Sequence, residues 1–87
     1  MSSHILVLMS TYNGEKYLEE QMNSLFSQKD VNVSILVRDD GSTDKTKMML
    51  EKWASKGKLK WYTGPNVGPA KSFLDLIKKA TYADYYA

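Results

Sequence analysis

Apolar runs of strand length alternate along this chain with segments whose apolar residues recur at helical spacing, and this alternation limits the possible folds more than any other feature. Residues 4–10 (HILVLMS), 33–39 (VSILVRD) and 58–64 (KLKWYTG) predict three strands. Residues 83–87 (ADYYA) predict the opening of a fourth strand, and its shortness suggests the N-terminal part of a larger protein. Strands alternating with helices predict an α/β fold, a three-layer αβα, Rossmann-like arrangement around a mostly parallel sheet.

Three helices are predicted between these strands. The first is expected to begin at Asn13 or Gly14, the second near Thr43 with Ser42 or Thr43 as its cap, and the third at Pro69. Acidic residues fall near the start of the first helix, where they suit its positive end. The apolar residues that share one side of each predicted helix are Leu18, Met22, Leu25 and Phe26, then Met49, Leu50 and Trp53, then Phe73, Leu74, Ile77 and Ala80.

Composition excludes several classes of protein. The chain has 87 residues, enough for a single small domain, and its net charge of +2 with scattered lysines gives no support for nucleic-acid binding. Lys56, Lys58 and Lys60 are expected to share one solvated strand face. No cysteine is present, so disulfides and thiolate metal sites are excluded. The apolar runs are too short for a membrane span or a secretory signal, which predicts a cytoplasmic protein, with peripheral association at the inner membrane face left open.

Turn segments rich in hydrogen-bonding side chains follow the predicted strands at residues 10–15 (STYNGE), 39–44 (DDGSTD) and 64–71 (GPNVGPAK). In open α/β sheets, ligands bind outside the carboxyl ends of the strands, so these three segments are expected to form one site. The first segment lacks both G-x-G-x-x-G and G-K-[ST], which disfavours a backbone phosphate cradle. Its Tyr12 ring suits a flat heterocycle, although packing of Tyr12 on the next helix is the alternative interpretation.

Asp39 and Asp40 place two carboxylates side by side where the second strand ends. Adjacent like charges cost free energy, so a turn, a metal or a ligand should offset them. A carboxylate here could accept the N3–H of uracil or thymine, whereas Asx-type turn bonding explains one aspartate more easily than both. In the third segment, Asn66 and backbone N–H groups could bind an anion at a helix N-terminus, and Lys71 could meet a phosphate or simply be solvated.

The segments "ILVLMSTYNGEKYLEEQMNSLFSQ", "VSILVRDDGSTDKT" and "NVGPAKSFLDLI" together resemble family 2 glycosyltransferases of the GT-A fold, notably the bacterial polysaccharide and rhamnosyl-type members. The resemblance covers nearly the whole chain and implies an enzyme whose N-terminal half binds the nucleotide of a sugar donor. It assigns the base N–H contact to Asp40, or second to Asp39, and it leaves Lys71 near the place where many members carry an arginine. The nucleotide-binding positions that it implies are Ser10, Thr11, Tyr12, Asp39, Asp40, Asn66, Gly68 and Lys71.

The same resemblance implies that residues 1–87 are the nucleotide-sugar-binding part of a longer glycosyltransferase domain. The metal-binding Asp-x-Asp motif and the catalytic base are expected beyond Ala87, so no catalytic or metal residue is assigned to this chain, which alone should be inactive. The parent is expected to be an inverting enzyme of bacterial cell-surface polysaccharide synthesis that uses Mg²⁺ or Mn²⁺. Its expected substrates are a uridine or thymidine diphosphate sugar and a saccharide or lipid-linked acceptor.

Two other functions are alternatives to this one, and one further property is expected. A stand-alone nucleotide-binding or interaction module without catalysis would need no residues beyond this chain. A sugar nucleotidyltransferase shares the sheet but calls for a glycine-rich and basic first loop, which residues 10–15 lack. An open edge beside the fourth strand should let the chain self-associate.

Overall fold

The computed structural model describes residues 3–27 and 31–82. Strands and helices alternate, as the sequence predicts. The elements are β1 (Ser3–Thr11), α1 (Leu18–Phe26), β2 (Val31–Asp39), α2 (Thr46–Ser55), β3 (Lys60–Thr63) and α3 (Pro69–Tyr82). None of the helices in these two stretches is long and apolar enough to cross a membrane.

The three strands form one parallel sheet in the order β1-β2-β3. Thr11 of β1 lies opposite Asp39 of β2, and Asp39 lies opposite Thr63 of β3. All three strands therefore end at the same level, which confirms the prediction that the segments following them meet at one edge of the sheet. Within the described residues β3 pairs with β2 alone.

Both faces of β2 are covered by helices. Ile35 and Val37 point to one face and join a core cluster with residues of α1 and α2, whereas Leu36 points to the opposite face. The first cluster contains Leu18, Met22, Ile35, Val37, Leu50 and Leu59. The second contains Leu36, Leu76 and Ala80, so α3 covers the second face. A strand buried on both sides reads as a continuous apolar run, which explains the sequence of β2 and confirms the three-layer architecture.

Two helices begin later than predicted. Gly14 lies in a turn, where its carbonyl accepts the N–H groups of Tyr17 and Leu18. The helix α1 begins only at Leu18. The second helix begins at Thr46 rather than near Thr43. The expected caps serve other purposes, because the Ser42 hydroxyl accepts the N–H of Asn13 at 2.8 Å and thereby joins two loops.

The carboxylate of Asp44 takes over the role predicted for Ser42 or Thr43. Its Oδ1 accepts the N–H of Thr46, the first residue of α2, at 2.9 Å, and its Oδ2 accepts the N–H of Glu15 at 3.3 Å. The first turn of α1 contains Glu19 and Glu20, as expected for the positive end of a helix.

The third helix begins at Pro69 as predicted, but of the four residues predicted for its buried face only Ala80 is buried. Phe73, Leu74 and Ile77 are 44%, 58% and 42% exposed. Ser72 and Leu76, which were not predicted for this face, are buried together with Ala80. The helix is rotated about its axis so that Ser72 and Asp75 accept hydrogen bonds from the buried Arg38 of β2.

The expected strand face of three lysines is also wrong. Only Lys60 lies in β3, whereas Lys56 follows the end of α2 and Lys58 lies in the connection between them. All three are exposed, and the ammonium groups of Lys56 and Lys58 lie 5.5 Å from the ring centroids of Trp53 and Phe26. These two rings stack at 5.4 Å and pack on the first core cluster, which confirms the structural role predicted for Trp53. The predicted fourth strand at residues 83–87 lies outside the described residues.

A pair of methionines tests this assignment of the core. Met22 of α1 is fully buried and Met48 of α2 is 62% exposed. We expect Met22→Ala to lower the free energy of unfolding by about 2–5 kcal/mol, because it leaves a cavity in the first cluster. Met48→Ala should change it by less than about 0.5 kcal/mol. Urea unfolding monitored by circular dichroism measures the free energy of unfolding of both variants. Equal losses in the two variants would contradict the assignment.

Candidate functional site

Backbone hydrogen bonds continue beyond the ends of the strands and draw three loops together. The carbonyl of Thr11 accepts the N–H of Asp40 at 2.8 Å, and the carbonyl of Asp39 accepts the N–H of Gly64 at 3.0 Å. The loops after β1 and β2 are joined further because the Asn13 side-chain oxygen accepts the N–H of Thr43 at 2.9 Å. Asn13 itself has a φ of 48°, a left-handed conformation that asparagine tolerates. The carboxyl edge of the sheet is thus a connected unit.

The carboxylate of Asp39 is fully buried and only half satisfied. Its Oδ2 accepts the backbone N–H of Ser42 at 3.1 Å and the hydroxyl of Thr63 at 2.8 Å. The first of these bonds is the turn that the sequence predicts for one of the two aspartates. Among the described residues, Asp39 Oδ1 is a buried side-chain oxygen without a hydrogen-bond partner. Such an atom carries a free-energy cost that a bound donor would remove.

The carboxylate of Asp40 is buried as well, but it has several partners. Its Oδ1 accepts a hydrogen bond from Arg38 Nη1 at 2.6 Å and from the N–H of Val67 at 3.0 Å. Its Oδ2 accepts the N–H of Gly68 at 3.1 Å. Burial acts to raise the pKa of Asp40, but the hydrogen bonds from Val67, Arg38 and Gly68 outweigh it and hold the pKa below its usual value. Asp40 is therefore a charged anchor for the loop that follows β3.

Arg38 connects this anchor to the third helix. Its Nε donates to Asp75 Oδ2 at 3.0 Å, its Nη1 also donates to Ser72 Oγ at 3.1 Å, and its Nη2 donates to the carbonyl of Pro65 at 3.1 Å. The hydroxyl of Tyr62 donates to the same Asp75 oxygen at 2.7 Å. These contacts make a buried polar network between the sheet and α3.

The sequence interpretation missed Arg38, Ser72 and Asp75. One signal was available: Arg38 is the charged residue within the apolar run of β2, and a charge at a buried strand position requires an acidic partner. Side chains two residues apart on a strand share a face, so Asp40 was the nearest such partner. The contacts of Ser72 and Asp75 with Arg38 could not be predicted from the nearby sequence, because they depend on how α3 is rotated about its axis.

The remaining predicted positions lie at the same edge. The Asn66 side chain donates to the carbonyl of Asp40 at 3.0 Å, and Gly68 has a φ of 92° that favours glycine. Ser10 Oγ and Ser72 Oγ share a hydrogen bond of 2.6 Å. Tyr12 is 52% exposed, and Lys71 is exposed on the first turn of α3.

The described residues do not form a divalent-cation site. No group of three or more histidine, cysteine, aspartate or glutamate side chains within residues 3–27 and 31–82 is arranged to hold a metal ion. Arg38 occupies one oxygen of Asp40, and hard cations require several oxygen ligands at once. The aspartate pair thus fits a hydrogen-bond donor better than a cation.

Comparisons with known proteins agree with this architecture. The family model described as "Glycosyl transferase family 2" matches residues 6–86. The dTDP-rhamnosyl transferase RfbG of Shigella flexneri is 40% identical over 81 residues, which cover 88% of this chain and 28% of that protein. The abequosyltransferase RfbV of Salmonella typhimurium is 34% identical over 85 residues, covering 86% of this chain and 24% of that protein.

A solved structure gives the same result for the fold. The crystal structure of residues 1–349 of S. aureus TarS superposes with a TM-score of 0.75 at 34% identity, and the match covers 88% of this chain and 24% of that one. The chain therefore spans about a quarter of the length of these relatives.

The ionised carboxylates predict acid sensitivity. Burial opposes ionisation of Asp40 and Asp44, but hydrogen bonds to their charged forms keep both pKa values lowered. The hydroxyl of Tyr62, followed by Arg38, lowers the pKa of Asp75 despite its burial. A carboxylate with a lowered pKa stabilises the fold above its unfolded pKa of about 3.9, and this contribution is lost as the pH falls toward the folded value.

We therefore expect the free energy of unfolding to be highest near neutral pH and to fall as the pH drops below about 4. The variant Asp75→Asn should show a shallower fall than the unsubstituted chain because it lacks one of these titrating groups. Urea unfolding at a series of pH values gives both slopes, and identical slopes would contradict the assignment.

Proposed function

The chain belongs to glycosyl transferase family 2, and we propose that it is the nucleotide-binding part of an enzyme that transfers a sugar from a nucleoside diphosphate to an acceptor hydroxyl. The single observation that carries the proposal is the buried aspartate pair at the edge where the loops after three parallel strands meet. Relatives named as dTDP-rhamnosyl transferase and abequosyltransferase support a role in bacterial cell-surface polysaccharide synthesis.

The proposed donor carries uridine or thymidine. Both bases present one ring N–H, for which a carboxylate acceptor is suited, and both present a flat face on which an aromatic ring can stack. The half-exposed ring of Tyr12 supports the stacking role, with Ser10 and Thr11 beside it in the chain. A saccharide or a lipid-linked saccharide is the proposed acceptor.

The two aspartates offer different oxygens to the base. We propose Asp40 as the acceptor of the base N–H, because its Oδ2 accepts one N–H and keeps capacity for a second. The unpartnered Oδ1 of Asp39 is the alternative acceptor, because a base N–H would satisfy it. Replacement of each residue separates the two assignments.

The diphosphate is proposed to lie near the start of α3. Asn66 and Gly68 are in the loop that enters this helix, and Lys71 lies on its first turn. The positive end of the helix dipole and the lysine charge both favour an anion at this place.

Catalytic groups are proposed to lie outside this chain. The residues described do not fit a divalent cation, so we place the ligands for Mg²⁺ or Mn²⁺, the general base of an inverting reaction and the acceptor site in other parts of a longer protein. On this proposal the 87-residue chain binds nucleotide but transfers no sugar. Metal-dependent sugar transfer by the chain alone would contradict it.

Nucleotide binding tests the proposed function directly. In calorimetric titrations with uridine diphosphate and thymidine diphosphate, we expect Asp40→Asn to weaken binding by about 1–3 kcal/mol, since the charged acceptor is lost. If Asp39 receives the base N–H, Asp39→Asn should produce a similar loss, and if Asp40 receives it, the affinity of Asp39→Asn should change by less than about threefold. Adenosine diphosphate serves as the control ligand because adenine lacks the ring N–H. Equal binding of all three nucleotides, or no binding, would contradict the proposal.

Self-association through a sheet edge is a further part of this proposal. Among the described strands, β1 pairs with β2 on one side only, and an unpaired strand edge attracts further strands. We expect sedimentation of the 87-residue chain to show a mass that rises with concentration. A constant monomer mass across the accessible concentration range would be the contrary result.

A further inference from the structure

We propose that Arg38 is a positioning residue that holds the loop of residues 64–68 in place for nucleotide binding. This inference rests on the proposed function, because it concerns how the same site is kept ready for its ligand. Arg38 does not have to touch the nucleotide in this role. It acts through Asp40, and Asp40 in turn binds the loop.

The guanidinium uses all three of its nitrogens. Nε binds Asp75, Nη1 binds Asp40 and Ser72, and Nη2 binds the carbonyl of Pro65, with distances between 2.6 and 3.1 Å. The arginine is 3% exposed, so solvent screens these contacts little. A planar group with donors in fixed directions can connect a strand, a helix and a loop at once, which a single ammonium cannot.

The loop depends on the carboxylate that Arg38 orients. Its residues belong to no strand or helix, and Asn66 and Val67 are exposed. Two of its backbone N–H groups, those of Val67 and Gly68, donate to the two oxygens of Asp40. Loss of the arginine would leave a buried, unpaired carboxylate free to rotate or to take up a proton, and both N–H groups would then lose a charged acceptor.

Close packing shows that the network is built around arginine. A Cβ placed on Gly64 would overlap Arg38 Nη2. A side chain at position 64 would therefore require the guanidinium to move away from the acceptors that hold it. Through Ser72, which pairs with Ser10 of β1, the same network also reaches the first of the three site segments.

Amide hydrogen exchange measured by NMR separates this role from general stabilisation. In Arg38→Lys, which keeps the charge but loses the three-way geometry, we expect the amides of Val67 and Gly68 to exchange at least about tenfold faster. The amide of Leu36, in the centre of β2, should keep its exchange rate. Affinity for uridine or thymidine diphosphate should fall by about tenfold in the same variant.

A second variant keeps the proposal testable if Arg38→Lys does not fold. Asp75→Asn leaves Arg38 and Asp40 intact and weakens the arginine's contact with a carboxylate that is 38% exposed. It should increase exchange at Val67 and Gly68 in the same direction and to a smaller extent. The matched control is Asp44→Asn, which removes another charged acceptor of backbone N–H groups and should affect Glu15 and Thr46 only.

Two results would overturn the inference. One is unchanged exchange at Val67 and Gly68 in the folded variants, and the other is a uniform increase that includes Leu36, which would mean that Arg38 only stabilises the fold. If the unsubstituted chain binds neither nucleotide, the proposed function fails, whereas the exchange rates still show whether Arg38 positions the loop.

Discussion

The arrangement of the carboxyl edge of the sheet depends on the ionic contacts of Arg38. A guanidinium buried between the sheet and a helix is tolerated only when its charge is paired and its nitrogens find acceptors. Asp40, Asp75, Ser72 and the carbonyl of Pro65 supply those acceptors. They come from β2, α3 and the loop after β3, so one side chain fixes how these three parts are arranged.

The same contacts resolve the apparent conflict of two adjacent carboxylates. Successive side chains of an extended strand point to opposite faces, so Asp40 turns toward Arg38 and α3 while Asp39 turns toward Thr63 and the loop at Ser42. Each carboxylate has its own set of donors. The repulsion expected between adjacent carboxylates is thereby reduced, because the two side chains point to opposite faces and Arg38 neutralises the charge of Asp40.

Most of the layered fold and the place of the site could be predicted from the sequence, because long apolar runs and helical spacing are local signals. The rotation of α3 could not, since apolar periodicity favours Phe73, Leu74 and Ile77 as the buried face and takes no account of a distant arginine. Helix starts at Gly14 and Thr43 were wrong for a related reason. Hydroxyl and amide groups that could cap a helix instead join the two loops, and this choice depends on contacts between residues about 30 positions apart.

Gly64 carries a consequence for how sequences of this fold can change. Its φ is not among the positive values of the described glycines, so the backbone there does not itself require glycine. The requirement comes from the space that the guanidinium occupies. Positions 38 and 64 are therefore coupled, because a side chain at 64 would require the Arg38 guanidinium to leave its acceptors. In an alignment of related sequences, substitutions at these two positions should therefore occur together.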